Sequence, residues 1–169
     1  MTVTLRAAEA RDAEAIAAIH NQGIEDRMAT LDTNLRTLDG TRTWLMERSP
    51  RHAVLVAIGE ASNGPARQVV GWGSLNRFNP RAAYDHVADF SVYVRRDSRG
   101  QGVGRRILDA LVEQARANGF HKMVLSALAR NSAGVALYES AGFSHVGIYR
   151  EMGRLDDQWV DVLLMERIL

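Results

Sequence analysis

Apolar positions along the chain alternate between helical and extended spacing, and the alternation predicts a mixed helix-and-strand protein. A first helix should open near Asp12 and bury Ile16 and Ile19. A second should cover Thr41 to Glu47, stopping before Pro50, because a proline disfavours helical geometry in the residue ahead of it. Ala53 to Ile58 and Val69 to Leu75 read as two strands, with Asn63-Gly64 as a turn that would make them antiparallel. Asp89 to Val94 is rich in β-branched and aromatic residues and reads as another strand. Beyond it Ile107, Leu108, Leu111, Val112 and Ala115 recur at helical spacing, with Gly119 as a stop. Lys122 to Leu128 suits a central strand, Asn131 to Ser140 a short helix ended by Gly142, and the tail offers strands at His145 to Tyr149 and Trp159 to Met165. There is no internal repeat, so residues 1–169 are read as one α/β domain around a mixed sheet.

Composition narrows the chemistry. The chain has no cysteine, which excludes disulfide frameworks, thiolate metal sites and a cysteine nucleophile. The five histidines follow no metal-ligand spacing, so no metal is expected. A net charge of +1 gives no general affinity for nucleic acid. No apolar run approaches the roughly 18 residues needed to cross a bilayer, and the first residues lack the apolar block of a signal peptide. The expectation is a cytoplasmic protein without membrane or nucleic-acid partners.

One stretch stands apart. Arg99-Gly-Gln-Gly-Val-Gly104 lies between a strand and an amphipathic helix, and Arg95, Arg96, Arg99, Arg105 and Arg106 crowd around it. Glycines there leave backbone N–H groups unobstructed at the positive end of a helix, which suits phosphate. A dinucleotide fingerprint counted from Gly100 would need glycine where Arg105 stands, and no Walker lysine follows. A ligand with several phosphates is favoured over a solvated basic face, with a purely structural turn as the plain alternative.

The loop satisfies, at Arg99, Gly102 and Gly104, the Arg/Gln-x-x-Gly-x-Gly/Ala pattern of the GCN5-related N-acetyltransferase (GNAT) superfamily, which the chain resembles. The resemblance continues in Asn131-Ser-Ala-Gly-Val-Ala-Leu-Tyr138 and the following Gly142-Phe143. It implies a central sheet splayed between its fourth and fifth strands, with acetyl-CoA in the opening. Val92, Tyr93 and Val94 would hold the pantetheine arm through their main chain. Arg99, Gly100, Gln101, Gly102, Val103, Gly104 and Arg105 would hold the pyrophosphate, and Asn131 and Ser132 would touch the cofactor. Tyr138 would be the general acid for the departing thiolate. Asp89 would be the base, directly or through water, or would bind the substrate ammonium; related enzymes often carry glutamate there.

Within the superfamily the chain resembles the branch acting on phosphinothricin, methionine sulfone and arsinothricin, through Asn21 to Thr30, Asn76 to Tyr84 and Trp159-Val-Asp161. That resemblance implies N-acetylation of a small amino-acid analogue, a detoxification or resistance activity, with Arg77, Phe78, Arg81 and Tyr84 around the substrate. Arginine suits such substrates because it matches carboxylate and oxyanion geometry bidentately. Trp159, Val160 and Val162 fit either a homodimer surface, as relatives commonly pair, or core packing. Competing readings are an acetyltransferase of protein N-termini or other small amines, and a non-catalytic acetyl-CoA sensor; the latter would need neither Tyr138 nor Asp89.

Overall fold

The computed structural model describes residues 2–61 and 64–169, so Asn63 of the expected turn lies outside the described residues. The elements are β1 (Thr4–Ala7), α1 (Ala13–Glu25), α2 (Leu38–Met46), β2 (Val54–Ala61), β3 (Gly64–Arg77), β4 (Val87–Val94), α3 (Val103–Ala117), β5 (Lys122–Leu128), α4 (Ser132–Ser140), β6 (Ser144–Leu155) and β7 (Gln158–Ile168). Seven strands form one sheet in the order β1-β2-β3-β4-β5-β7-β6. Every neighbouring pair is antiparallel except β4 and β5.

Helix α3 covers one face. Its Ile107, Leu108 and Leu111 are fully buried against Leu75, Phe90 and Met123. The close approach is permitted by Gly73, where an added Cβ would sit 2.6 Å from Ile107 Cγ2 and 2.8 Å from Leu111 Cδ1. Helices α1 and α2 cover the other face, where Ile16 and Ile19 pack with Val54, Val56 and Trp72, and Trp44 and Tyr93 close the cluster. Burial of these aliphatic and aromatic side chains is the main stabilising term, worth roughly 1.5–3 kcal/mol for each that is fully buried.

Several boundaries differ from the pattern-based expectation. Helix α2 begins at Leu38 because Thr37 caps it, accepting from the Gly40 N–H at 3.1 Å. Asp12 precedes α1 as expected, but its carboxylate is not a side-chain cap for that helix. It accepts instead from Arg6 at 2.7 and 2.8 Å and from the Glu9 N–H at 2.8 Å. Strand β1 was not expected; four residues with two half-buried positions carry too little period-two signal.

The feature that shapes the site is an interrupted ladder. Strands β4 and β5 pair only at Val87↔Lys122, Ala88↔Met123 and Asp89↔Val124. Past Asp89, β4 continues to Val94 beside β3 while β5 continues beside β7, and the sheet splays.

Candidate active site

The splay opens into a cleft of about 510 Å³. Its floor is Val92, Tyr93 and Val94 of the unpaired half of β4. One end is the turn from Ser98 through Gly104 with Arg105, and the far wall is Asn131, Ala133, Gly134, Leu137 and Tyr138 of α4 and its cap. Gly23, Asp26, Met28 and Ala29 close it from the end of α1.

The turn is built for an anion. Gly100 and Gly102 take φ of +71° and +80°, a left-handed conformation that costs other residues strain, and a Cβ at either would meet open space. Gly102 caps α3 without any side-chain hydrogen bond, so the first-turn N–H groups of α3 remain available. Together these features fit a pyrophosphate at the positive end of α3. The lateral wall is fixed by Asn131, whose Oδ1 accepts from Gly134 N–H at 3.0 Å and caps α4.

The arginine cluster behaves differently from a free basic patch. Arg99 donates to Asp26 at 2.5 Å and to the Val94 carbonyl at 3.1 Å. Arg96 pairs with Asp26 at 2.7 Å and Glu25 at 3.2 Å, Arg95 with Asp97 at 2.6 Å, and Arg105 with Asp109 at 2.8 Å. Hydrogen bonds from Arg96 and Arg99 outweigh burial and hold the Asp26 carboxyl below the usual range. Anion recognition here therefore falls mainly on backbone N–H groups.

Two titratable groups stand at the base of the split. Asp89 is largely withdrawn from water, and burial pushes its pKa up to about 6, against the stabilising 2.7 Å hydrogen bond from the Phe90 N–H. Tyr138 is pushed up to about 12 by burial, with the charges of Tyr93 and Asp89 adding to the rise. Its ring is edge-on to Phe90 at 5.8 Å and to Phe143 at 6.4 Å. The site thus holds a carboxylate poised to accept a proton near neutrality and a phenol that stays protonated, the charge of the first helping to keep the proton on the second.

Residues sought from the sequence distribute unevenly. Val92, Tyr93, Val94, Arg99, Gly100, Gly102, Val103, Gly104, Arg105, Asn131 and Tyr138 all line the cleft. Gln101 and Ser132 do not; the Gln101 amide turns back to the Asp97 carbonyl at 3.0 Å. Asp89, Arg77, Phe78, Arg81 and Tyr84 are likewise not among the residues that line this cleft. Asn76 pairs with Asp89 across β3 and β4, and strand alternation sends Arg77 to the opposite face. Arg77 donates to the Asn79 and Pro80 carbonyls at 3.2 and 2.7 Å and stands 3.7 Å from Asp85, while Phe78 and Tyr84 pack on each other at 5.6 Å.

A polar and aromatic cluster on the α1/α2 side of Asp89 was not anticipated. Arg48 donates to Asn76 Oδ1 at 3.1 Å, to the His52 carbonyl at 3.1 Å and to the Leu75 carbonyl, and Asn76 donates to Ser91 Oγ at 3.2 Å. Trp72 stacks on Tyr93 at 4.9 Å, and the buried His20 sits between them and Asp32, with Nε2 3.0 Å from Asp32 Oδ2. Burial, then the nearby Arg36, lowers the His20 pKa, favouring the neutral ring.

A strand that leaves its parallel neighbour after three pairs and runs on into a glycine turn, with a tyrosine helix opposite, defines an acyl-CoA-dependent acetyltransferase fold. A family model described as "Acetyltransferase (GNAT) domain" matches residues 5–164, and the chain belongs to that family. It is 30% identical to the L-methionine sulfoximine/L-methionine sulfone acetyltransferase of Pseudomonas aeruginosa, over 98% of this chain and 94% of that protein. The phosphinothricin acetyltransferase of Sinorhizobium meliloti, solved with acetyl-CoA, superposes with a TM-score of 0.91 at 26% identity, covering 100% of this chain and 89% of the other. A ribosomal-protein-alanine N-acetyltransferase from Brucella melitensis superposes at 0.89 with 34% identity, covering 98% and 99%. The protein is an acetyl-CoA-dependent N-acetyltransferase, and acetyl-CoA is its co-substrate. Among the described residues no group of three or more metal-ligating side chains converges, and no helix is long and apolar enough to cross a membrane.

Proposed function

We propose that the protein transfers acetyl from acetyl-CoA to the α-amine of a small amino-acid analogue of the phosphinothricin, arsinothricin, methionine sulfone or methionine sulfoximine type, as a detoxification activity in the cytoplasm. The observation that carries the reading is the cleft itself, with Val92 to Val94 as floor, the glycine turn at one end and Tyr138 in its wall, together with the buried Asp89 at the last β4–β5 pair, where the sheet begins to split. The relatives named for such substrates support the substrate class.

The chemistry follows from those two groups. An ammonium has no lone pair, so Asp89 must first take its proton, directly or through a water held at the carboxylate. The neutral amine then attacks the acetyl carbonyl, whose oxygen gains negative charge and is met by main-chain N–H of the unpaired half of β4. Bond formation from nitrogen to carbon is matched by cleavage of the carbon–sulfur bond, which expels coenzyme A as a thiolate, and the second proton that the nitrogen sheds on becoming an amide passes through solvent to that sulfur. A phenol near 12 is a weaker acid than a thiol, near 8.5, so complete proton transfer to sulfur runs uphill. Tyr138 contributes a hydrogen bond that strengthens as charge collects on sulfur, and being protonated at every working pH it is always able to donate. Val92 to Val94, the N–H groups from Gly100 to Arg105, and Asn131 with Ser132 hold the coenzyme. Arg77, Phe78, Arg81 and Tyr84 form the outer rim beside the start of β4.

The same chain is assigned as a homodimer. Strand β6 is the sheet's edge, and Val146, Ile148 and Met152 on it, with Trp159 on β7, are more than half exposed, an apolar surface suited to a second copy. Light scattering should give twice the chain mass for the native protein and the chain mass for Trp159→Glu.

Coenzyme A release, followed with a thiol reagent, tests the substrate class over the four analogues, a polyamine and a short peptide beginning with alanine. Turnover confined to the analogues is the expected result. The Brucella neighbour gives the alternative of peptide N-terminal acetylation its footing, and turnover of the peptide alone would replace the reading.

A further inference from the structure

Most arginines near the cleft are neutralised by carboxylates, but two on the α1/α2 side are not. The Arg36 guanidinium lies 5.2 Å from the Trp44 ring centre and 5.7 Å from that of Trp72. The Arg48 guanidinium lies 4.9 Å from the same Trp44 ring. Among the described residues neither is within ion-pair distance of a carboxylate. Arg48 spends its donors on neutral oxygens, and Arg36 is tied to α1 only through its backbone, by reciprocal hydrogen bonds with Asn21 at 2.8 and 3.0 Å. Of the acids on this face, Asp32 is directed at His20, and Asp89 lies at the far end of the strand pair beside Asn76.

Two unneutralised like charges in a half-buried aromatic setting repel each other, and burial together with Arg36 lowers the Arg48 pKa. Such an arrangement is stabilised by an anion lying between them. The position is informative. Trp72 and Tyr93 are register partners, as are Asn76 and Asp89, so strand alternation puts all four on one face. Asp89 and Tyr93 are four residues apart on β4, roughly 13 Å. That span accommodates a short amino acid and a bridging water, with the amine toward Asp89 and the far end over Trp72. The same cluster also holds buried polar atoms without partners, Trp72 Nε1 and His20 Nδ1.

We propose that Arg36, backed by Arg48, is the anion subsite that recognises the acidic end of the amino-acid substrate. The assignment rests on the acetyltransferase reading above for its substrate class, but the subsite itself is a binding property. Guanidinium suits the task because its fork matches phosphinate or carboxylate oxygens while its faces lie on indole rings.

The experiment reads binding and turnover separately. Quenching of tryptophan fluorescence is titrated with L-phosphinothricin in the presence of coenzyme A, which cannot acetylate it, for the native protein, Arg36→Gln and the exposed α2 control Arg42→Gln. Native protein and Arg42→Gln should bind alike, and Arg36→Gln at least tenfold more weakly. In turnover, Arg36→Gln should raise KM for phosphinothricin tenfold or more, raise KM for the uncharged-ended methionine sulfone by much less, and leave KM for acetyl-CoA unchanged. Equal binding by Arg36→Gln and native protein overturns the proposal, as does a loss equal for both amino acids and for acetyl-CoA. Native protein that binds phosphinothricin through Arg36 yet does not acetylate it would sink the substrate reading and leave the subsite standing.

Discussion

Replacing Asp89 by asparagine should make the protein more stable and nearly inactive at once. The carboxyl is raised from 3.8 to about 6 by burial, so at neutral pH the folded state holds a charge it disfavours. Two pH units correspond to at most about 3 kcal/mol, and residual solvent and the Phe90 N–H reduce this to about 1–2 kcal/mol. Asparagine keeps an oxygen for that N–H and removes the charge. The sign runs with pH as follows for an acid whose folded pKa is raised. Below 3.8 both states are protonated and no cost exists; the cost grows between 3.8 and 6 and is complete above 6. For a chain of this size 1 kcal/mol moves Tm by roughly 2–4 °C, so Asp89→Asn should gain roughly 2–8 °C at pH 7.5 and about a third of that at pH 4.5. Its kcat should fall by roughly 10²–10⁴. Native kcat should decline below pH 6 with the protonation of Asp89, and that limb should vanish in the variant. Thermal denaturation at the two pH values and coenzyme A release at pH 7.5 check this. A variant that is less stable at pH 7.5, or that keeps native kcat and the acidic limb, would refute a buried base at Asp89.

Tyr138→Phe should lower kcat by roughly 10²-fold or more while acetyl-CoA KM stays within about twofold, and steady-state kinetics decides it. Arg77→Ala should loosen the 78–85 loop by freeing the Asn79 and Pro80 carbonyls, raising KM for the amino acid a few-fold and sparing acetyl-CoA; an unchanged KM would take that loop out of the substrate's path. Gly73→Ala would press its Cβ to 2.6 Å from Ile107 Cγ2 and 2.9 Å from the Ser91 carbonyl, costing about 1–3 kcal/mol, visible as a lower denaturation midpoint with an unchanged slope.

What could be read from the sequence was what local rules encode. The α3 stripe of Ile107, Leu108 and Leu111, the left-handed glycines at 100 and 102, and the Asn131 cap each signal themselves within a few residues. The coenzyme side of the cleft is made almost wholly of such segments, so it was legible. The substrate side is not. It is assembled from α1, α2, β3 and β4, and whether Arg77 or Arg36 faces it depends on strand parity and on a helix packing over Trp72, neither visible in spacing. Asp26 illustrates the same limit, since nothing near it in sequence announces that Arg96 and Arg99, some seventy residues on, will claim it.

The short ladder between β4 and β5 leaves the sheet with a missing seam, three register pairs long where its neighbours run to seven. With Val92 to Val94 holding it, the amide-bearing arm of the coenzyme would be the thread that sews it, so that the enzyme's architecture would be finished by its own co-substrate. Its resistance to opening should then follow metabolic supply: at a hundred times Kd, acetyl-CoA adds about 2.7 kcal/mol. The amide hydrogens of Val92 and Val94, which strand alternation turns away from β3, should exchange readily in the bare protein and slowly with acetyl-CoA bound. A cell short of acetyl-CoA would hold a less durable enzyme, and one rich in it a longer-lived pool.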